Sequence, residues 1–176
     1  MRLSTHDMVK VSLFASLTAA GSLIYIPLPF NLVPITLQTF FTYLSGIVLG
    51  PLLGPLSQLI YILLGCLNLP VFAGGTAGLG ILFGPTGGYL WGFLAASGII
   101  GLITRGQKNI WRLLLALVTG TLALYTCGLI QLVFVAHLSP TQAFWTGIAV
   151  FLPGDLVKIL LASQVALKLP HKLMLF

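Results

Sequence analysis

The chain has 176 residues, of which 58% are hydrophobic and only 6% are Asp, Glu, Lys or Arg. Soluble domains carry about 25% charged residues, so this composition cannot clothe a water-facing globule and points to an all-α, polytopic membrane protein forming a single domain. The net charge of +6 raises nucleic acid as a partner, but the basic residues lie in short clusters between apolar runs, without the basic stripe and interleaved aromatics that nucleic acid requires; none is expected.

A membrane-spanning helix needs about 20 mostly apolar residues, and Pro, Gly and charge punctuate the chain into six such stretches. The first helix is expected from about Met8 to Ile26, followed by an uncharged turn at Pro27–Pro34. A basic start and an apolar run also suit a cleaved signal peptide. Ser12, Ser16, Thr18 and Ser22 dilute that run, however, and no A-x-A site follows, so a retained helix is favoured. The second helix is expected over about Ile35–Leu49, ending at Gly50-Pro51, and the third over about Leu52–Leu67. A Gly-rich segment from Asn68 to about Gly80 precedes a fourth helix that ends at Thr104. After the polar turn Arg105–Asn109 comes a fifth helix, Ile110 to about Ala136. The turn 137–140 leads to a sixth, from near Thr141 to near Leu169, before Pro170.

Six helices put both termini, the second–third turn and the fourth–fifth turn on one side of the membrane. That side holds Arg2, Lys10, Arg105, Lys108, Arg112, Lys168 and Lys172, whereas the turns on the other side hold no Lys or Arg. Basic loops stay cytoplasmic, so both termini are expected inside. An odd number of helices would break the segregation.

Small residues recur four apart as Ala15/Ala19, Gly46/Gly50/Gly54 and Gly84/Gly88/Gly92/Ala96. That spacing shares a helix face and lets backbones approach closely in lipid, either within one bundle or against another protein. Pro51 and Pro55 make it unfavourable for the Gly46–Gly54 series to lie on one unbroken helix.

Asp155 and Lys158 are the ionisable pair deep within an expected span. A charge at the bilayer centre costs about 2.5–3.5 kcal/mol, and such residues face an interior or a cavity. Their three-residue spacing places them on one face, where they form either a ligand site or a self-satisfying internal pair. The second alternative explains less, because a purely structural pair can be replaced by apolar residues with little loss. Pro153-Gly154, just before, favours a broken helix lining a polar cavity. The Asn68–Gly80 segment is neither a P-loop, lacking the Lys, nor a dinucleotide loop. It reads as a connector, or as a lid whose backbone N–H groups and aromatics (Phe72, Phe83, Tyr89) close over a small ligand. Gln38, between Thr36 and Thr39, either bonds a neighbouring helix or faces a pocket.

His6, His137 and His171 lie at or beyond helix ends and read as interfacial. Cys66 and Cys127 are isolated, so neither a disulfide nor a metal site is expected. No catalytic motif and no paired acids occur, and with two acidic residues in all acid–base chemistry has few players. The chain is not expected to be an enzyme or to hold a cofactor.

Four motifs then carry a resemblance. Val33–Phe40 (VPITLQTF), Leu69–Gly75 (LPVFAGG), Phe83–Tyr89 (FGPTGGY) and Pro153–Lys158 (PGDLVK) resemble, in the right order and over nearly the whole chain, the BioY family, the biotin-binding S components of energy-coupling-factor (ECF) vitamin transporters. The resemblance implies a six-helix bundle that captures biotin from outside, with Asp155, Lys158 and Asn68 contacting the vitamin. It also implies docking of a transmembrane coupling subunit through Ala15 and Ala19, ATPase subunits as further partners, and a prokaryotic-type plasma membrane. Biotin offers two ureido N–H groups, a ureido carbonyl, an apolar ring and a carboxylate tail. Asp155 and Asn68 suit the ureido group, Lys158 suits either the ureido carbonyl or the carboxylate, and the N–H groups of Gly74, Gly75 and Gly78 suit the carboxylate as an anion nest. Gln38, Phe72 and Tyr89 complete the expected site. Function as a solitary or oligomeric carrier, an energy-independent channel or facilitator, and a scaffold without a ligand remain as alternatives.

Overall fold

The computed structural model describes residues 4–28, 33–105, 107 and 109–170; Arg2, Lys108, His171 and Lys172 lie outside them. Helix α1 (Thr5–Leu23) opens with a reciprocal cap in which the Ser4 hydroxyl accepts from the Asp7 N–H and the Asp7 carboxylate accepts from the Ser4 N–H, both at 3.1 Å. This satisfies donors that a helix start leaves unpaired. The helix ends three residues earlier than expected, because Tyr25–Ile26 (β1) pairs antiparallel with Ile35–Thr36 (β2), Tyr25 opposite Thr36. β1 and β2 therefore flank the expected 27–34 turn, of which 29–32 lie outside the described residues.

Helix α2 (Gln38–Cys66) is broken at Gly50, whose φ of 79° leaves the helical region. Glycine tolerates that conformation, and Pro51 disfavours the helical one in the residue before it. The break folds α2 into a hairpin. A straight helix would hold Ser45 and Gln58 about 20 Å apart, yet the Gln58 amide donates to the Ser45 hydroxyl at 3.1 Å and accepts from Thr42 at 3.3 Å. The two arms are the expected second and third helices. Gln58 also donates to Thr18 at 3.3 Å, which ties α1 to the hairpin.

The expected fourth helix is divided into α3 (Leu79–Phe83) and α4 (Gly87–Thr104), interrupted at Gly84-Pro85. Helix α5 (Ile110–Val135) follows, started by the Asn109 side chain accepting from the Trp111 N–H at 2.9 Å. The Arg112 guanidinium donates to the Ile103 carbonyl and to Gln107, joining the end of α4 to the start of α5. The expected sixth helix is α6 (Pro140–Phe144), a wide π-type turn at Trp145–Ala149 and α7 (Leu152–Lys168), bent by 42°.

The glycine series serve packing within the bundle. A Cβ on Gly46 would lie 2.6 Å from the Ser97 carbonyl oxygen, and one on Gly92 would lie 2.9 Å from the Leu124 backbone. The first α2 arm thus meets α4, and α4 meets α5, nearly backbone to backbone. The core has two parts, one around Tyr43, Ile47, Ile100 and Leu117 and one around Tyr61, Phe72, Phe93 and Leu124. Outward faces carry Leu122, Phe134, Leu156 and Leu160, each more than half exposed, as lipid contact demands and water does not.

By length and apolarity, α2, α4 and α5 can each cross a bilayer, and the bent α6–α7 pair makes a fourth candidate among the described residues. The expected count of six is higher for two reasons. Each α2 arm was counted separately, and α1, although 19 residues long, carries Lys10, Ser12, Ser16 and Thr18 and is too polar to qualify.

Candidate ligand-binding site

One end of the second core part opens into a cavity of about 250 Å³. Its wall draws on β2, the start of α2, the 68–80 segment, α4, α5 and α7, and the residues that define its chemistry are Gln38, Thr39, Phe72, Tyr89, Tyr125, Asp155 and Lys158. Phe93, Leu124 and Phe151 supply an apolar floor. A few convergent polar groups in a mostly apolar cavity are the usual build of a small-molecule site.

Asp155 stands in the first turn of α7, just past the bend, and its acidic side chain suits the positive end of the helix dipole. Pro153 also fits that turn, where its missing N–H leaves no bond unmade. Lys158, one turn on, donates from Nζ to Asp155 Oδ1 at 2.7 Å and to the Thr39 hydroxyl at 2.8 Å. Tyr125 on α5 donates to Asp155 Oδ2 at 2.6 Å. Asp155 and Lys158 are 4% and 8% exposed. A buried pair is tolerable only when its remaining hydrogen-bonding capacity is met, and here three helices meet it. Lys158 retains one ammonium N–H without a partner among the described residues.

The other expected residues divide. Gln38 is buried in the cavity wall, its amide N–H donating to the Tyr61 hydroxyl and its carbonyl accepting from Thr36 at 2.9 Å, so it bonds a neighbouring arm while facing the cavity. Phe72 is 1% exposed and packs edge-on to Tyr61 with ring centroids 5.7 Å apart. Its ring fills the notch left by Gly65, where any Cβ would collide with it, and this seats the 68–80 segment over the cavity. Tyr89 lines the cavity with its ring, while its hydroxyl donates to the Gly147 carbonyl in the wide turn at 2.7 Å.

Four other expected residues or groups lie away from the cavity lining. Asn68 does not reach the cavity. It is exposed and takes the left-handed conformation (φ 66°) just past α2, where its N–H bonds the Gly65 carbonyl at 3.1 Å and the Leu69 N–H bonds the Leu64 carbonyl at 3.2 Å. This is a Schellman cap, and Asn is the residue after Gly that best accepts it. Gly74 and Gly75 lie in the turn beyond the cavity lining, which takes Ala73 and Thr76 instead. No anion nest forms, because the Gly75 N–H is spent on the Phe72 carbonyl at 2.9 Å and the Gly78 N–H on the Gly65 carbonyl at 2.8 Å. Phe83 is 68% exposed, outside the cavity. Ala15 is 1% exposed and Ala19 is half-buried, both packed against the core of their own bundle.

Sequence reasoning missed Tyr125, and it weighed Thr39 only as a neighbour of Gln38. Each puts a hydroxyl in an apolar stretch where it must find a partner. That signal marks a buried polar contact without saying which one.

The chain matches the BioY family model over residues 1–174. It is 39% identical to the biotin transporter BioY of Thermotoga maritima over 164 residues, covering 93% of this chain and 95% of the relative. The probable biotin transporter BioY of Pyrococcus horikoshii is 42% identical, over 95% and 98% of the two chains. A solved structure, the S-component for biotin from an ECF-type ABC transporter, superposes with a TM-score of 0.80 at 28% identity, covering 95% of this chain and 94% of that one. On the match along nearly its whole length and the relatives at this identity, the chain belongs to the BioY family.

Proposed function

We propose that this protein is a membrane carrier that takes up biotin as the S component of an ECF-type transporter. The observation that carries this reading is the buried Asp155–Lys158 pair facing a cavity, in a chain whose relatives are biotin transporters. Asp155 is an ionised acceptor for one of the ureido N–H groups. Lys158, whose ammonium is 2.7 Å from Asp155, serves the same end of the ligand and so donates to the ureido carbonyl. The carboxylate, at the far end of a four-methylene tail, lies out of its reach. The apolar ring rests on Phe93, Leu124 and Phe151, and Phe72 and Tyr89 close over it.

The protein is a carrier and not an enzyme. In this reading six helical rods, counting the two α2 arms separately, cross a prokaryotic plasma membrane with both termini inside. A coupling subunit and ATPase subunits supply the driving force. Calorimetry on the detergent-purified full chain tests the ligand. Tight biotin binding that disappears in Asp155→Asn, with the fold intact by circular dichroism, supports the reading, and a folded wild type that releases no heat with biotin ends it.

A further inference from the structure

We propose that Thr39 is a positioning residue that fixes the Lys158 ammonium beside the Asp155 carboxylate, so that the pair meets one edge of a cyclic urea; this rests on the biotin reading above. A threonine hydroxyl within a helix commonly donates back to its own backbone. Thr18, Thr104, Thr121 and Thr126 do so, each to the carbonyl four residues earlier, at distances between 2.7 and 2.9 Å. Thr39 has no such acceptor. It is the second residue of α2, and the residue four before it, Ile35, belongs to β2. Its oxygen instead accepts from Lys158 Nζ on α7 at 2.8 Å. It reaches Asp155 Oδ1 only at 3.4 Å, too long for a strong O–H···O bond, so the ammonium is its main partner.

Lys158 also donates to Asp155 Oδ1 at 2.7 Å. Its two acceptors are 3.4 Å apart and so lie on the same side of Nζ, which directs the third N–H away from both. That N–H has no partner among the described residues, although Lys158 is buried in the cavity wall. The contact with Thr39 also places the ammonium at the start of α2, the positive end of a helix dipole, where a cation is disfavoured. A lysine kept there gains from one more acceptor. In a cyclic urea each N–H lies on the same edge as the carbonyl oxygen, so one edge offers a donor and an acceptor side by side. Asp155 and Lys158 offer the complement, provided that the ammonium stays in place. Its four-carbon stem is flexible, and Asp155 holds it from its own helix alone. Thr39 supplies the second hold, from α2.

The test is calorimetry on the detergent-purified full chain with three ligands: biotin, desthiobiotin, which keeps the whole urea, and the biotin analogue whose ureido oxygen is replaced by sulfur, a weaker acceptor. Thr39→Val keeps the shape of the side chain and removes its oxygen. It should weaken biotin and desthiobiotin alike by roughly tenfold, the order expected for a hydrogen bond to a charged group. The sulfur analogue should lose clearly less, and Thr39→Ser, which restores the oxygen, should restore the affinity. A purely structural threonine would change all three affinities equally or leave them all alone. Thr39→Ala repeats the measurement with a smaller side chain should the valine variant misfold. In the ligand-free protein carrying isotope-labelled lysine, the ammonium resonance that Lys158→Met removes should exchange faster with water in Thr39→Val and recover in Thr39→Ser. Unchanged biotin affinity in the folded variants, equal losses for the oxygen and sulfur ligands, no recovery in Thr39→Ser, or an unaltered ammonium resonance overturns the assignment. A wild type that gives no heat with biotin overturns the biotin reading and with it the urea edge, while the resonance would still establish the hold of Thr39 on Lys158.

Discussion

The α2–α4–α5 platform and the α6–α7 arm are joined to the molecule by opposite means. The platform is held by close approach: glycines at 46, 92 and 120 admit neighbouring chain where any side chain would collide, and dispersion between near-touching backbones does the work in lipid, which gives apolar faces no other reason to associate. The arm has no such seam. It is bent, it carries a wide turn, and beside the apolar packing of Ile159, Ala162 and Ala166 it meets the platform through polar contacts, Tyr89 to Gly147 and Thr39 and Tyr125 to the Asp155–Lys158 pair. Each of those polar contacts lies at the cavity. The arm that carries the Asp155–Lys158 pair is thus also the part whose attachment a ligand in the cavity would alter, while the platform gives it a fixed reference.

The comparison is broken most severely at the ion pair. Lys158→Met leaves Asp155 as an uncompensated buried charge and should cost about 3–5 kcal/mol, read as a large drop in unfolding temperature in detergent. The double replacement Asp155→Leu with Lys158→Met should recover most of that stability and still bind no biotin, which would separate the arm's attachment from its function. On the platform, Gly92→Ala places a methyl group 2.9 Å from the Leu124 backbone. It should cost about 1–3 kcal/mol by overpacking, with biotin affinity in the surviving folded fraction nearly unchanged.

Smaller effects sharpen the boundary of the site. Asn68→Ala forces a residue with a Cβ and no compensating polar group into the left-handed region, at about 1–2 kcal/mol, whereas Asn68→Gly should be neutral. If the side chain of Asn68 is a cap and not a ligand contact, both variants keep wild-type biotin affinity in calorimetry. Tyr89→Phe removes one hydrogen bond between platform and arm. It should cost about 0.6 kcal/mol, the average for such bonds in membrane helices, and speed hydrogen exchange in 145–149 before any other segment.

Which of these features could be read from the sequence follows from how local they are. The α2 hairpin was legible because Gly50-Pro51 breaks a helix through its own backbone chemistry, whatever lies nearby. The Asp155–Lys158 pair was legible because two charges in an apolar stretch are anomalous without any structural context. The left-handed cap at Asn68 was not legible because the same residue type serves as a cap and as an amide ligand, and only the backbone angle shows the first. The internal packing of Ala15 was not legible because a four-residue spacing marks a close-packed face and is silent on whether the neighbour is the same chain. Tyr125 escaped because its role is set by Asp155, 30 residues away, and no local pattern records that pairing.

The most direct measurement is a structure of the purified protein determined with biotin. Density for the ureido ring is expected in the cavity, with one ureido N–H within hydrogen-bonding distance of Asp155, the carbonyl beside Lys158 Nζ and the bond from Tyr125 to Asp155 retained. Biotin seated elsewhere, in the lateral groove between α5 and α7 or with its carboxylate on Lys158, would contradict it.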